Sequence, residues 1–232
     1  MTTHERSWIG QMIWHDLLFA HWPVPASALR QHVPAQLEIE EFDGTAWLAI
    51  VPFLMTGVRL RWLPAFPYYS RTLELNVRTY VRHRDRPGVY FFSLDAERWI
   101  LVQGARATFH LNYLHARMSL TRQPGDRINY QSLRIHPGAP PAAIRITYQP
   151  AGEPYLTKPG TLESWLTERY SLFADAPNGN LFRGDIHHAR GVKLLAEAED
   201  AGKLHTSLEV QISGRERLPV AKCFPLPFHT PS

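Results

Sequence analysis

The sequence predicts an α+β fold in which a large, mainly antiparallel sheet curls into a barrel, accompanied by two or three helices. Three observations predict it. Aromatic residues are abundant, with seven Trp, nine Tyr and eleven Phe in 232 residues, which suits packed strands better than helical bundles. Nineteen prolines argue the same way, because proline is excluded from helix interiors and gathers at turns and strand edges. About ten segments also carry the apolar patterning and flanking turn residues of strands. With 44% hydrophobic residues the chain can bury a large core as one domain, residues 1–232, ending in a proline-rich tail from about 218.

Taken in order, Met12 to Trp22 reads as a strand that stops at Pro23-Val24-Pro25, where backbone donors are missing. Pro25 to Val33 reads as a short helix, with Leu29 and Val33 four apart on one face. Leu37 to Phe42, the turn Asp43-Gly44 and Thr45 to Arg61 form a predicted hairpin. Trp62 to Tyr69, with two prolines, is a predicted loop over the sheet. Thr72 to Arg82 is the next strand, and an Arg-rich turn leads to its partner, Gly88 to Leu94.

Asp95 is suited to cap a helix from Ala96 to about Phe109, with Glu97 in the first turn complementing the dipole. Strands follow at Leu114 to Arg122, Asn129 to Ile135 and Ala143 to Gln149. Thr161 to Phe173 has the spacing of an amphipathic helix, carried by Leu162, Trp165, Leu166, Arg169, Tyr170 and Phe173. Asn178-Gly179-Asn180 turns the chain into Leu181 to His188, and two more strands are expected at Val192 to Glu199 and Leu204 to Ile212. The tail from Leu218 is expected along the surface.

Composition removes several functions. The single cysteine, Cys223, allows no intramolecular disulfide, and its neighbours give no reason for an activated thiol. No apolar stretch follows a basic amino terminus, and the longest apolar segments, such as Ala46 to Met55, fall far short of the roughly 20 residues that span a bilayer. The expectation is therefore a cytoplasmic protein with no membrane partner. A net charge of +4 invites nucleic acid. However, the arginines are scattered, and the densest run, Arg82-His83-Arg84-Asp85-Arg86, reads as a solvated turn, so no nucleic-acid partner is expected. No glycine-rich phosphate loop occurs, and no cofactor is expected. Asp185, His187 and His188 suggest a metal, but on a strand at most two of them converge, so no metal site is expected either.

The most informative strand is Thr72 to Arg82. Glu74, Asn76, Arg78 and Tyr80 alternate with Leu73, Leu75, Val77 and Thr79 and so share one face. Four polar groups there must be solvated or mutually paired, since an unpaired buried group costs roughly 1–3 kcal/mol. If the face lines a cavity, Arg78 can fork onto a carboxylate and Glu74 can act as acid or base. The alternative is a structural Glu–Arg–Tyr network, or the wet side of the sheet.

Three segments carry a resemblance: Val33-Pro34-Ala35-Gln36-Leu37-Glu38-Ile39, Glu74-Leu75-Asn76-Val77-Arg78-Thr79-Tyr80-Val81 and Gly88-Val89-Tyr90-Phe91-Phe92-Ser93-Leu94-Asp95-Ala96. Together they resemble the YqjF-like bacterial domain-of-unknown-function family, over most of the chain to about residue 195. That family is similar to acetoacetate decarboxylase, and the resemblance implies its closed, cone-like antiparallel barrel with a central cavity. The stretch from Asp95 through Gly104-Ala105-Arg106 resembles the decarboxylase segment that leads, about seven residues past the arginine, to a Schiff-base lysine. Here the matching stretch is His110-Leu111-Asn112-Tyr113-Leu114-His115, without a lysine. The four lysines, Lys158, Lys193, Lys203 and Lys222, lie elsewhere. Neither Tyr nor His can form a Schiff base, so the resemblance implies the fold without that decarboxylation.

Glu74 falls about where the decarboxylase carries an active-site glutamate, while its early arginine falls near Pro23. The candidate catalytic residues are thus Glu74 and Tyr113. The candidate ligand-binding residues are Asn76, Arg78 and Tyr80, with Arg106, His110, Asn112 and His115 brought in by the resemblance. Two functions remain open: a barrel that holds a small polar or acidic organic molecule in its cavity, with or without turnover, and a non-catalytic protein whose barrel is filled by its own side chains.

Overall fold

The computed structural model describes residues 10–60, 71–109, 111–150, 155–175, 178–186, 192–200, 205–213 and 216–222. The first half contains β1 (Gly10–His15), β2 (Phe19–Val24), α1 (Ala26–Arg30), β3 (Glu38–Ile39), β4 (Glu41–Phe42), β5 (Thr45–Leu60), β6 (Thr72–His83) and β7 (Arg86–Ala96). Then come α2 (Trp99–Phe109), β8 (Tyr113–Gln123), β9 (Arg127–Arg134), β10 (Ala143–Pro150), β11 (Tyr155–Leu156) and α3 (Leu162–Thr167). The chain continues through β12 (Ser171–Asp175), β13 (Leu181–Asp185), β14 (Val192–Asp200), β15 (His205–Ser213) and β16 (Glu216–Lys222). Among the described residues the fold is mostly strand with three α-helices, as the aromatic and proline content predicts.

The strands form one strongly curled sheet in the order β13-β12-β7-β8-β9-β10-β14-β15-β16-β2-β5-β6-β3, with β6 also paired to β7. Most ladders are antiparallel. The β7–β8 pair is parallel because α2 carries the chain back between them. Leu18, Ala20, Leu54, Leu73 and Leu75 pack with Ala116, Met118, Ile128, Tyr130, Ile146 and Tyr148. Strands as far apart in the sheet as β5 and β10 can touch only across its concave side, so this cluster fills the concave face. The opposite face of β2, β5, β6 and β7 packs Phe19, Ala49, Val51, Phe53, Phe91 and Leu94 against Leu166 of α3, with Trp14 of β1 beside them.

Several predicted boundaries move. The first strand breaks into β1 and β2 around Asp16, whose φ is 51°. β2 continues through Pro23, which is tolerated because the β16 ladder reaches only to His21 and leaves that side of Pro23 open. Asp95 does not cap α2: it stays in β7, 1% exposed, with its carboxylate bound by Arg134 Nε at 3.0 Å. The predicted long helix ends at Thr167, capped at its start by Thr161. Phe173 instead lies in β12, which pairs parallel to β7. β12 passes so close to β7 that a Cβ on Gly88 would stand 2.6 Å from Ser171 O. Leu218 to Lys222, the start of the predicted tail, lies within strand β16. The predicted loop at Trp62 to Tyr69, together with His110, His187, His188 and Cys223, lies outside the described residues.

Candidate functional site

β6 supplies the site, and its register with both neighbours fixes where the polar row points. Glu74 stands between Phe53 and Ala96, Asn76 between Val51 and Leu94, and Arg78 between Ala49 and Phe91. A bulge opposite Val77 and Arg78 leaves Phe92 without a partner on β6. The row therefore shares the face that packs against α3 and Trp14, while Leu73 and Leu75 point to the concave side. Sequence alternation separates two faces but does not say which is concave. The central cavity expected for the ligand is the concave face, and there the aliphatic and tyrosine cluster resides. The polar row belongs to the layer between sheet and α3.

Glu74 is 3% exposed among apolar side chains. Tyr113 Oη donates to its Oε2 at 3.2 Å and faces Oε1 at 3.4 Å. Burial pushes the carboxyl up from 4.5 to about 7, against the opposing hydrogen bonds from Tyr113 and Asn76. The Tyr113 phenol is in turn held well above its ordinary range by burial and by the Glu74 charge. A carboxyl that changes charge near neutrality, touching a phenol that keeps its proton, is a pair equipped for proton transfer.

Arg78 is partly buried, with Cζ 5.0 Å from the Phe19 ring centroid. It forms no ion pair among the described residues, and its Nε lies buried without a hydrogen-bond partner, as does Asn76 Oδ1. Tyr80 is fully buried; its hydroxyl donates to Leu166 O at 2.9 Å, and His21 Nε2 lies 2.6 Å from the same oxygen. Those two contacts tie α3 and β2 to β6.

The residues brought in by the resemblance divide. Tyr113 stands seven residues past Arg106, where the resemblance puts the lysine, and its hydroxyl reaches Glu74. Arg106 is exposed on α2 and donates to Tyr113 O at 2.8 Å. Asn112 is exposed and donates to Phe92 O at 2.7 Å. His115 shares the Tyr113 face of β8, and its ring lies 5.4 Å from that of Trp99. Asp185 bonds Ser171 and Arg183 at the far end of the sheet.

Arg169 belongs to this layer and the sequence reading missed it. Its side chain is 5% exposed, with Nη1 2.5 Å from Glu40 Oε2 and Cζ 5.2 Å from the Tyr80 ring. Glu40 also binds Arg82. The nearest sequence signal is the spacing of Trp165 and Arg169, which the sequence offers only as part of an amphipathic helix.

Comparisons with known proteins agree with this frame. An acetoacetate decarboxylase from Legionella pneumophila superposes over 94% of this chain and 87% of its own, with a TM-score of 0.59 at 13% identity. The enduracididine biosynthesis enzyme MppR, complexed with pyruvate, covers 83% of this chain and 77% of its own, with a TM-score of 0.54 at 11% identity. At these identities the likeness is one of fold alone, an acetoacetate decarboxylase-like fold. More particularly, the chain belongs to the DUF2071 family of uncharacterized conserved proteins, whose model matches residues 11–210. The uncharacterized protein YqjF of Bacillus subtilis is 44% identical over 192 residues, which are 83% of this chain and 78% of YqjF.

Proposed function

We propose that this protein binds a small acidic organic molecule against the β6 face and moves a proton on it with Glu74 and Tyr113. The observation that carries the reading is the buried Glu74 carboxyl, raised to about 7 and in contact with the Tyr113 hydroxyl. Glu74 takes or gives the proton at neutral pH, and Tyr113 steadies whichever oxygen carries charge. Arg78, with no described carboxylate partner, receives the acid group of the ligand. Asn76 bonds Glu74 and has an acceptor left over for the ligand.

No Schiff base forms in this mechanism, because the position seven past Arg106 is a tyrosine. The closed, cone-like form implied by the resemblance is supported by the β6–β7 ladder, which joins strands otherwise far apart in the sheet order. The rival, a barrel filled by its own side chains, is supported only on the concave face, where Tyr130 and Tyr148 pack with leucines.

Thermal melting against a panel of carboxylic acids, keto acids and sugars tests the binding half. A ligand at 100 times its Kd adds about 2.7 kcal/mol, or roughly 5–10 °C. The expected result is a shift with acids that vanishes in Arg78→Ala. No shift with any compound, in a folded native protein, would move the reading to the filled barrel.

A further inference from the structure

The buried donors around Tyr80 outnumber the acceptors. Arg78 and Arg169 both approach the Tyr80 ring, with Cζ 5.9 Å and 5.2 Å from its centroid. Trp47, next to the Leu48–Thr79 pair that ends the β5–β6 register, packs against the cluster that contains Tyr80. Trp47 Nε1, Arg78 Nε and Arg169 Nη2 are buried with no acceptor among the described residues. Folded proteins leave few such groups, because each costs roughly 1–3 kcal/mol when nothing replaces water. Two guanidiniums beside one ring, each with an orphaned nitrogen, and a third orphaned donor on Trp47 in the same cluster mark a place for an acceptor. Charge points the same way: Glu40 is the carboxylate described against this group, and it is shared by Arg82 and Arg169, leaving Arg78 unbalanced.

We infer that Arg78, Arg169 and Trp47 form an oxyanion subsite against Tyr80, which holds the acid group of an elongated ligand whose reacting end lies at Glu74 and Tyr113. The inference rests on the proton-transfer reading above and adds two residues and a ligand shape. From Glu74 to Tyr80 the strand extends about 20 Å at roughly 3.3 Å per residue. Between those ends the layer is apolar, with Val51 and Leu94 flanking Asn76 and Phe91 flanking Arg78. The ligand class is therefore a carboxylic acid or phosphate ester with an apolar chain, rather than an acid of two or three carbons.

Calorimetric titration of the full chain with linear acids from acetate to octanoate, and with hexyl phosphate and 1-octanol, tests this. Affinity should rise with chain length, 1-octanol should not bind, and the tighter of hexanoate and hexyl phosphate identifies the oxyanion. Trp47→Phe removes one donor and should weaken binding about tenfold, the effect of losing one hydrogen bond to a charged group. Arg169→Lys, which keeps the charge on Glu40, should weaken it similarly. If both variants bind like the native protein while Arg78→Ala does not, the subsite is wrong and the proton-transfer reading stands. If 1-octanol binds as well as octanoate, or acids bind Arg78→Ala as well as the native chain, both fall.

Discussion

Tyr113 and Glu74 lie 39 residues apart in the chain, and the phenol of one meets the carboxyl of the other at 3.2 Å. Two steps of register bring them together. Glu74 pairs across β6–β7 with Ala96, and the parallel β7–β8 ladder sets Leu94 beside Tyr113. Ala96 keeps its small side chain on that face, which leaves the tyrosine room to reach the acid.

Glu74 makes stability depend on pH. Its folded-state value, about 7, lies above the ordinary 4.5, so the folded protein holds this proton more tightly. The contribution is complete below about pH 4.5 and is lost as pH rises through 7; it amounts to about 3 kcal/mol. Glu74→Gln should remove this slope, so that urea unfolding at pH 5 and pH 8 differs less than in the native protein. An unchanged slope would mean that Glu74 titrates at its ordinary value.

Tyr113→Phe tests the hydrogen bond itself. The phenol favours the ionised carboxyl, so its removal should push the Glu74 value above 7. Difference infrared spectroscopy of the carboxyl band against pH reads this directly, and a downward shift would contradict the geometry.

Glu40→Gln should be severe. It leaves Arg169, 5% exposed, and its neighbour Arg82 without their shared carboxylate, and breaking a buried pair costs about 3–5 kcal/mol. Chemical denaturation measures it, and a loss below about 1 kcal/mol would show that the pair is solvated.

Gly88→Ala should destabilise by about 1–3 kcal/mol through overpacking. The new methyl would meet Ser171 O at 2.6 Å and Phe173 Cε2 at 2.7 Å, and both belong to the β12 strand laid against β7. A neutral substitution in thermal melting would mean that β12 can shift away.

The hairpin of β6 and β7 was legible because period-two alternation and an Arg-rich turn define it without tertiary help. The polar row Glu74, Asn76 and Arg78 was legible for the same reason. Its partner Tyr113 was reached only through the resemblance, since no local pattern ties a tyrosine to a glutamate two ladders away. Asp95 was misread because an acid ahead of a helical stretch has the same local chemistry whether it caps the helix or ends a strand and binds Arg134. Arg169 counts in the sequence as one of the residues spaced along an amphipathic helix, because sequence does not reveal that α3 stops at Thr167. β16 was read as tail because Pro219 argues against a strand, yet Pro219 pairs with Val210.

The most direct test of the proton-transfer claim is hydrogen–deuterium exchange at carbon. A panel of small carboxylic acids, keto acids and sugar acids is incubated in D₂O near pH 7 with the native protein or with Glu74→Gln, and followed by proton NMR. A compound that binds through Arg78 should lose a C–H signal with the native protein and keep it with Glu74→Gln. A compound that raises the native melting temperature, loses that shift in Arg78→Ala and yet exchanges equally slowly with native protein and Glu74→Gln would contradict the claim, leaving a binding protein without acid–base chemistry.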